Sequence, residues 1–128
     1  MKIIILLLIL LPFPSWGEWV PISKNLKGDT TYFDNKSILI EGSYLYYWEL
    51  LDFKNTKQYG NMSTTILKQV NCNSTSFETL HLISFTKSMG EGEIIKNYNP
   101  NKKVIIASWG SSNYHSLRAA CDYAKKIQ

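Results

Sequence analysis

The sequence predicts an α+β domain in which one antiparallel sheet of about six strands is covered by a single C-terminal helix. Three observations support this prediction. Long segments alternate with a period of two and are separated by polar turns, which is typical of strands. The period changes to that of an amphipathic helix near the C-terminus. The two cysteines of the chain fall one in each type of segment, Cys72 at the end of a predicted strand and Cys121 on the helix.

Residues 43–53 are the segment around which we expect the sheet to be built. One face of this segment carries Tyr44, Tyr46, Trp48 and Leu50, and the other carries Leu45, Tyr47, Glu49, Leu51 and Phe53. Aromatic and aliphatic side chains occupy both faces, and no Gly or Pro interrupts them. This pattern favours a central strand whose two faces both need cover. Only Glu49 breaks the apolar character of the second face.

Other segments on both sides of this strand complete the predicted sheet. Further strands are expected at residues 18–22, 30–33, 37–40, 62–72, 76–87, 94–98 and 104–109. Pro21 suggests that the first of them is an edge strand, because proline cannot donate to a ladder of hydrogen bonds. The unbroken apolar residues 104–107 predict that the last strand is buried.

The C-terminal segment has the spacing of an amphipathic helix. Ser111 or Ser112 can cap its start. Its apolar stripe consists of Leu117, Ala120, Cys121 and Ala124. We expect this stripe to pack on the sheet.

The first 17 residues are predicted to be a secretory signal, with an uncleaved membrane anchor as the alternative. Lys2 precedes the apolar run 3–11, and the small residues Ser15 and Gly17 mark a cleavage site. The run is shorter than the roughly 20 residues that cross a bilayer. We therefore expect residues 18–128 to form one exported domain that is not stably inserted in a membrane after cleavage.

The charge of the chain is mildly basic. Removing Lys2 leaves 13 basic and 10 acidic side chains, a formal charge of +3. The bases are scattered singly, apart from the pairs at 102–103 and 125–126, so a nucleic-acid partner is not expected. Such a surface favours anionic partners, such as acidic polysaccharide or lipid head groups, only weakly.

Cys72 and Cys121 are expected to form one disulfide, because an even cysteine count in an exported chain is typical of paired cysteines. Metal binding is the alternative interpretation. It would require His81 and His115 to join the cysteines, and no pair among these four residues has the spacing of metal ligands. No cofactor is expected.

One helix cannot cover both faces of such a sheet. We therefore expect an exposed apolar face that pairs with a second copy of the chain or binds a partner, because large apolar patches usually mark interaction surfaces. Tyr44, Tyr46, Tyr47 and Trp48 could form a binding platform for a sugar or peptide, although core packing explains such residues more often. Loops 54–61 and 88–93 are the other candidates for partner contact.

No catalytic constellation emerges from the remaining polar residues. His81 lies in the middle of a predicted strand, and His115 lies in the first turns of the helix. Glu91 and Glu93 belong to a glycine-rich loop that we expect to be solvated. A triad that assembles only in space stays open at this stage.

The order of several short motifs resembles the surface-adhesin protein E domain of Gram-negative bacteria. The residues that carry the resemblance are Thr31-Tyr32-Phe33-Asp34, Ser37-Ile38, Trp48-Glu49-Leu50, Ser63, Lys68, Cys72, Ser84-Phe85, Met89-Gly90-Glu91-Gly92, Ser111 or Ser112, Leu117 and Cys121. The resemblance implies a six-stranded sheet disulfide-linked to a C-terminal helix, an envelope location, and adhesion to host matrix and serum proteins. The chain departs from the family in having Asn71 before the first cysteine, no proline after Trp109-Gly110, and no lipoprotein cysteine.

These observations lead to three functional hypotheses. The preferred one is an exported, non-enzymatic binding protein of the adhesin E type, with a protein or matrix component as its partner and a homodimer as one form of assembly. The second is a periplasmic inhibitor or accessory protein of an envelope enzyme. The third is a small secreted hydrolase, for which the sequence shows no recognisable catalytic motif.

Overall fold

The computed structural model describes residues 19–128, so the predicted signal at residues 1–17 lies outside the described residues. The elements are β1 (Trp19–Lys24), β2 (Thr30–Asp34), β3 (Leu39–Glu41), β4 (Tyr44–Asp52), β5 (Ser63–Asn71), β6 (Ser76–Phe85), a 3-10 turn (Ser88–Gly90), β7 (Ile94–Tyr98), β8 (Ile105–Ile106) and α1 (Ser112–Ile127). The predicted α+β architecture is confirmed: one antiparallel sheet carries one C-terminal helix.

The strands form a single sheet in the order β1-β2-β4-β5-β6-β7, with β3 paired to β4 and β8 paired to β6. All of these pairs are antiparallel. The strand predicted to be central, β4, lies inside the sheet between β2 and β5. The strand that contains Pro21 lies at the edge, as predicted, where the missing amide hydrogen does not cost a hydrogen bond.

Helix α1 packs on the face of β4 that carries Leu45 and Tyr47. Its start is fixed by Ser111, whose hydroxyl accepts a hydrogen bond from the backbone amide of Tyr114 at 3.1 Å. Its buried residues are Ser116, Leu117, Ala120, Cys121 and Ala124, which confirms the predicted apolar stripe. The last four of these join Phe33, Leu45, Tyr47, Val70 and Phe77 in one core.

A disulfide joins the end of the sheet to the middle of the helix. Cys72 and Cys121 are bonded, with 6.0 Å between their Cα atoms and a separation of 49 residues along the chain. The predicted pairing is therefore confirmed, and the sulfurs cannot act as metal ligands. In the chain-entropy model a loop of this length gives a stabilisation of about 4 kcal/mol as an upper figure.

The prediction of a buried last strand at residues 104–109 is wrong. Only Ile105 and Ile106 form strand β8, and the side chains of Val104, Ile106 and Trp109 are 66%, 74% and 86% exposed. These side chains are exposed because β8 lies at the margin of the sheet, where it pairs only with the start of β6 and is not covered by the helix. An apolar run alone cannot distinguish a buried strand from such an edge.

The face opposite the helix is partly covered by the loop after β6. The carboxylate of Asp52 accepts hydrogen bonds from the hydroxyl of Ser88 at 2.7 Å and from the amide of Met89 at 2.8 Å. The amide of Gly90 donates to the hydroxyl of Ser63 at 2.9 Å. The loop therefore closes one end of this face, and Leu50 beneath it is fully buried.

Candidate functional site

A buried ion pair lies beneath the first turns of α1. The Lys68 ammonium is 2.9 Å from Oε2 of Glu49, and the two side chains are only 3% and 2% exposed. Lys68 also donates to the side-chain oxygen of Asn113 at 3.0 Å and lies 4.5 Å from the ring centre of Phe77. Each charge is thus compensated, which burial of an ion requires.

The tyrosine and serine beside this pair complete the polar network. The Tyr47 hydroxyl is 3.3 Å from Glu49 Oε2 and 3.0 Å from Ser116 Oγ, and Ser116 itself donates to the same carboxylate oxygen. Burial, followed by the negative charge of Glu49, raises the pKa of Tyr47 well above its usual value of 10.0. The phenol is therefore neutral and serves as a hydrogen-bonding group.

The strands explain why these residues meet. Tyr47 and Lys68 are directly opposed in the β4–β5 ladder, and Glu49 follows Tyr47 on the same face. The helix-capping turn at Ser111 places Asn113 and Ser116 above them. Local alternation and helix placement therefore assemble the network from distant parts of the chain.

A cleft opens on this side of the sheet, next to the N-terminal start of the helix. It has a volume of about 420 Å³, and Glu49 and Lys68 contribute to its floor. Its apolar lining comes from Leu51, Phe53, Ile66, Phe77 and Ile105, and its polar lining from Asn25, Asp29, Thr31, Thr79, Ser111, Ser112 and Asn113. We refer to this space as the helix-side cleft.

One end of the helix-side cleft is braced by a cluster around Asp29. The backbone amide of Lys54 donates to its carboxylate at 3.0 Å, and the ammonium of Lys57 lies 3.5 Å away. The amide of Lys54, followed by Asn25 and Lys57, lowers the pKa of Asp29 against the opposing effect of desolvation. Lys57 also lies 4.8 Å from the ring centre of Phe53. Loop 54–61 is therefore tied to the cleft at its base.

The polar network does not resemble a reaction centre, although it contains a serine, a lysine and a glutamate. Ser116 and Tyr47 are fully buried, and both hydrogen-bond to Glu49. A nucleophile must reach its substrate and be free to lose its proton. Here the network connects the helix to the sheet.

The histidines and the loop glutamates are not brought together. His81 is half-buried on the opposite face, where its ring nitrogens lie within hydrogen-bonding distance of the side-chain amides of Asn97 and Asn99. His115 is exposed on the helix. Glu91 and Glu93 are exposed in their loop. Among residues 19–128, no group of three or more metal-ligating side chains is arranged around a common point.

The four aromatic residues proposed as a platform are divided between the two faces of the sheet. Tyr47 belongs to the core under the helix, whereas Tyr44, Tyr46 and Trp48 lie on the helix-free face. On that face the Tyr46 hydroxyl accepts a hydrogen bond from Gln69 at 2.8 Å, and Trp48 meets His81 edge to face at 6.2 Å. Core packing therefore explains Tyr47, whereas Tyr44, Tyr46 and Trp48 belong to a partly exposed surface.

Sequence reasoning did not identify the Glu49–Lys68 pair, although a signal was present. Glu49 interrupts one apolar face of β4, and Lys68 lies between Ile66 and Val70 on one face of β5. Opposite charges that interrupt the apolar faces of two consecutive antiparallel strands can be expected to pair across the ladder.

Fold and site together define a class of protein: a small disulfide-bonded sheet-and-helix domain with a paired interior polar network and an open cleft beside its helix. The chain belongs to the surface-adhesin protein E family, whose sequence model matches residues 19–122. This match confirms the family expected from the sequence motifs.

Solved structures of protein E from Haemophilus influenzae share the fold. One crystal form is 14% identical to this chain, with a TM-score of 0.64, and the match covers 88% of this chain and 97% of that one. A structure of protein E from non-typeable Haemophilus influenzae is 13% identical, with a TM-score of 0.67 and coverage of 91% and 84%. A search of the curated proteins finds no match.

Membership of this family gives the chain an adhesin-like character and implies that it is exported or located at the cell surface. Within residues 19–128, no helix is both long and apolar enough to cross a bilayer.

Proposed function

We propose that this chain is an exported binding protein that engages a host protein or matrix component through the helix-side cleft. The observation that carries the proposal is the cleft itself: apolar walls stand above charges that are already paired below. An apolar side chain of a protein partner can enter such a space without leaving a buried charge uncompensated. The adhesin character of the family supports a protein or matrix partner.

Two neighbouring residues on opposite faces of β5 provide a test. Ile66 lines the cleft, whereas Leu67 pairs with His81 on the helix-free face, and both are partly buried. We expect Ile66→Glu to weaken binding to a panel of immobilised matrix and serum proteins at least tenfold, and Leu67→Glu to leave it within twofold. Denaturant unfolding would verify that both variants fold.

Equal binding by the two variants would place the contact elsewhere. Failure of the unmodified chain to bind any panel member, combined with capture of a periplasmic enzyme, would favour the inhibitor or accessory role. Cell fractionation would show whether the exported chain is periplasmic, surface-bound or released.

A homodimer through the helix-free face is part of this proposal. Tyr44 is 45% exposed there, and Tyr46 and Trp48 are partly exposed beside it. Such an aromatic surface is typical of interfaces between copies. Sedimentation at micromolar concentration should give a dimer that Tyr44→Lys converts to monomer, and a strictly monomeric unmodified chain would contradict this assembly.

A further inference from the structure

The segment from Lys102 to Trp109 is the most apolar exposed part of the described chain. Of the four most exposed large hydrophobic side chains in residues 19–128, three lie within it: Val104, Ile106 and Trp109. Ile105 between them is 42% exposed. We call residues 102–109 the basic–apolar rim.

The fold holds this segment in place while leaving its side chains outside. The backbone amide of Ala107 donates to the carbonyl of Thr75 at 3.0 Å, and the Ala107 side chain is buried in the core. The following turn is closed by Ser111, whose amide and hydroxyl both donate to the carbonyl of Ser108, at 3.0 and 2.7 Å. The apolar side chains therefore project from a fixed backbone at the margin of the sheet.

The charges within the rim and in the sequence that flanks it are positive. Lys102 and Lys103 are exposed and directly precede Val104. Between Glu93 and Asp122 the sequence contains Lys96, Lys102, Lys103 and Arg118 but no aspartate or glutamate. One carboxylate comes near from another strand, since Glu78 lines a small depression together with Val104. The rim thus combines exposed aliphatic and indole groups with a local excess of positive charge.

We propose that the basic–apolar rim docks the folded protein onto an anionic lipid surface. Val104, Ile106 and Trp109 enter the boundary between head groups and acyl chains, where an indole ring is particularly stable. Lys102 and Lys103 remain at the level of the lipid phosphates. With two lysines and three apolar side chains, the attachment is peripheral, reversible and salt-sensitive.

The lysine pair distinguishes a lipid surface from a second copy of the chain. In a two-fold dimer the same patch of each copy faces its partner. The basic–apolar rim would then bring its positive charges against those of the other copy, whereas an anionic bilayer offers opposite charge. This inference is independent of the adhesive ligand, because the rim and the helix-side cleft share only Ile105.

Co-sedimentation of the exported chain with vesicles tests the proposal. We expect binding to vesicles of equal parts phosphatidylglycerol and phosphatidylcholine, little binding to pure phosphatidylcholine, and a loss of binding as salt is raised. Lipids with brominated acyl chains should quench tryptophan emission, and Trp109→Phe should remove most of that quenching.

Matched variants separate the two contributions. Lys102→Gln and Lys103→Gln should each weaken vesicle binding about fivefold, and Ile106→Ser with Trp109→Ser should weaken it at least tenfold. Lys125→Gln with Lys126→Gln removes two charges at the helix end, one more than either rim lysine variant, and Leu26→Ser alters an isolated exposed side chain. Both controls should bind within twofold of the unmodified chain.

Three results would overturn the proposal: no binding to the anionic vesicles, an equal loss of vesicle binding in the control variants, or equal binding to anionic and to pure phosphatidylcholine vesicles. Sedimentation of the rim variants adds a fourth. If the serine variants convert a dimer to monomers and the unmodified dimer does not bind vesicles, the rim is instead a contact between copies.

Discussion

The two faces of the sheet are built from the same strands but are organised in opposite ways. The face under α1 contains the charged pair Glu49 and Lys68, both almost fully buried. The helix-free face presents Tyr44, Tyr46 and Trp48, which are partly exposed. On β4 and β5 a charged pair lies inside while several aromatic rings lie partly outside, which locally reverses the usual distribution.

This reversal shows what the helix contributes. Glu49 is stable in the interior because Lys68, Tyr47 and Ser116 all reach it, and because the N-terminal part of a helix favours negative charge. The helix-free face has no such cover, so its aromatic residues pair with polar neighbours such as Gln69 and His81. Four predictions, in decreasing order of expected effect, test this difference between the faces.

Breaking the buried pair should cause the largest loss. Lys68→Met leaves the Glu49 carboxylate without its counter-ion, which should lower the free energy of unfolding by about 3–5 kcal/mol. Denaturant unfolding at neutral pH measures this change. Adding Glu49→Leu should recover most of the loss, because the double variant contains no uncompensated charge; a single variant as stable as the unmodified protein would refute the role of the pair.

Removing the disulfide should weaken the helix-covered face specifically. Replacement of Cys72 and Cys121 by alanine should lower the free energy of unfolding by about 2–4 kcal/mol. Hydrogen exchange should rise more in α1 than in the ladder between β4 and β5. A uniform rise across all elements would instead indicate that the bond stabilises the whole domain equally.

Two adjacent tyrosines allow the faces to be compared directly. Tyr47→Phe removes a buried hydroxyl from the polar network and should cost about 1–2 kcal/mol, because Ser116 and Glu49 lose a partner. Tyr46→Phe removes only the contact with Gln69 on the helix-free face and should cost about 0.5 kcal/mol. Equal costs would mean that the two faces are energetically alike.

The smallest effect concerns alkaline pH. Burial raises the pKa of Tyr47 well above 10.0 in the folded state, so the folded protein favours the neutral phenol while the unfolded chain ionises above pH 10. The stability that Tyr47 contributes is therefore complete below pH 10 and declines as the pH rises further. Above pH 10, ionisation of Tyr47 in the unfolded chain should lower the free energy of unfolding of the unmodified protein by up to about 1.4 kcal/mol per pH unit. Tyr47→Phe should lack this part of the decline, which denaturant unfolding at several alkaline pH values would measure.

Much of the fold could be predicted because it depends on local patterns. The alternation in β4, the helical spacing of Leu117, Ala120 and Ala124, and the even cysteine count are each visible over a short stretch of sequence. The face chosen by the helix could not be predicted, because both faces of β4 are apolar. In the structure the helix covers the face of Tyr47, whose hydroxyl lies 3.0 Å from Oγ of Ser116.

The candidate site was less predictable for a different reason. The helix-side cleft arises where α1 begins and the sheet continues, and no residue pattern marks that boundary. Val104, Ile106 and Trp109 are exposed, contrary to the prediction, because burial there depends on which strand lies alongside, and β8 reaches only Ser76 and Phe77 of β6. The hydrophobic run therefore predicted a strand but did not predict that its side chains are exposed.

The disulfide has a consequence for survival in protease-rich surroundings. Strands β6, β7 and β8 all lie between Cys72 and Cys121 along the chain. A single cut in the loop at residues 86–93, or in the turn before β8, therefore yields two fragments that stay covalently joined. Severing the backbone there does not release the helix, because the bond between Cys72 and Cys121 still joins it to the sheet until that bond is reduced.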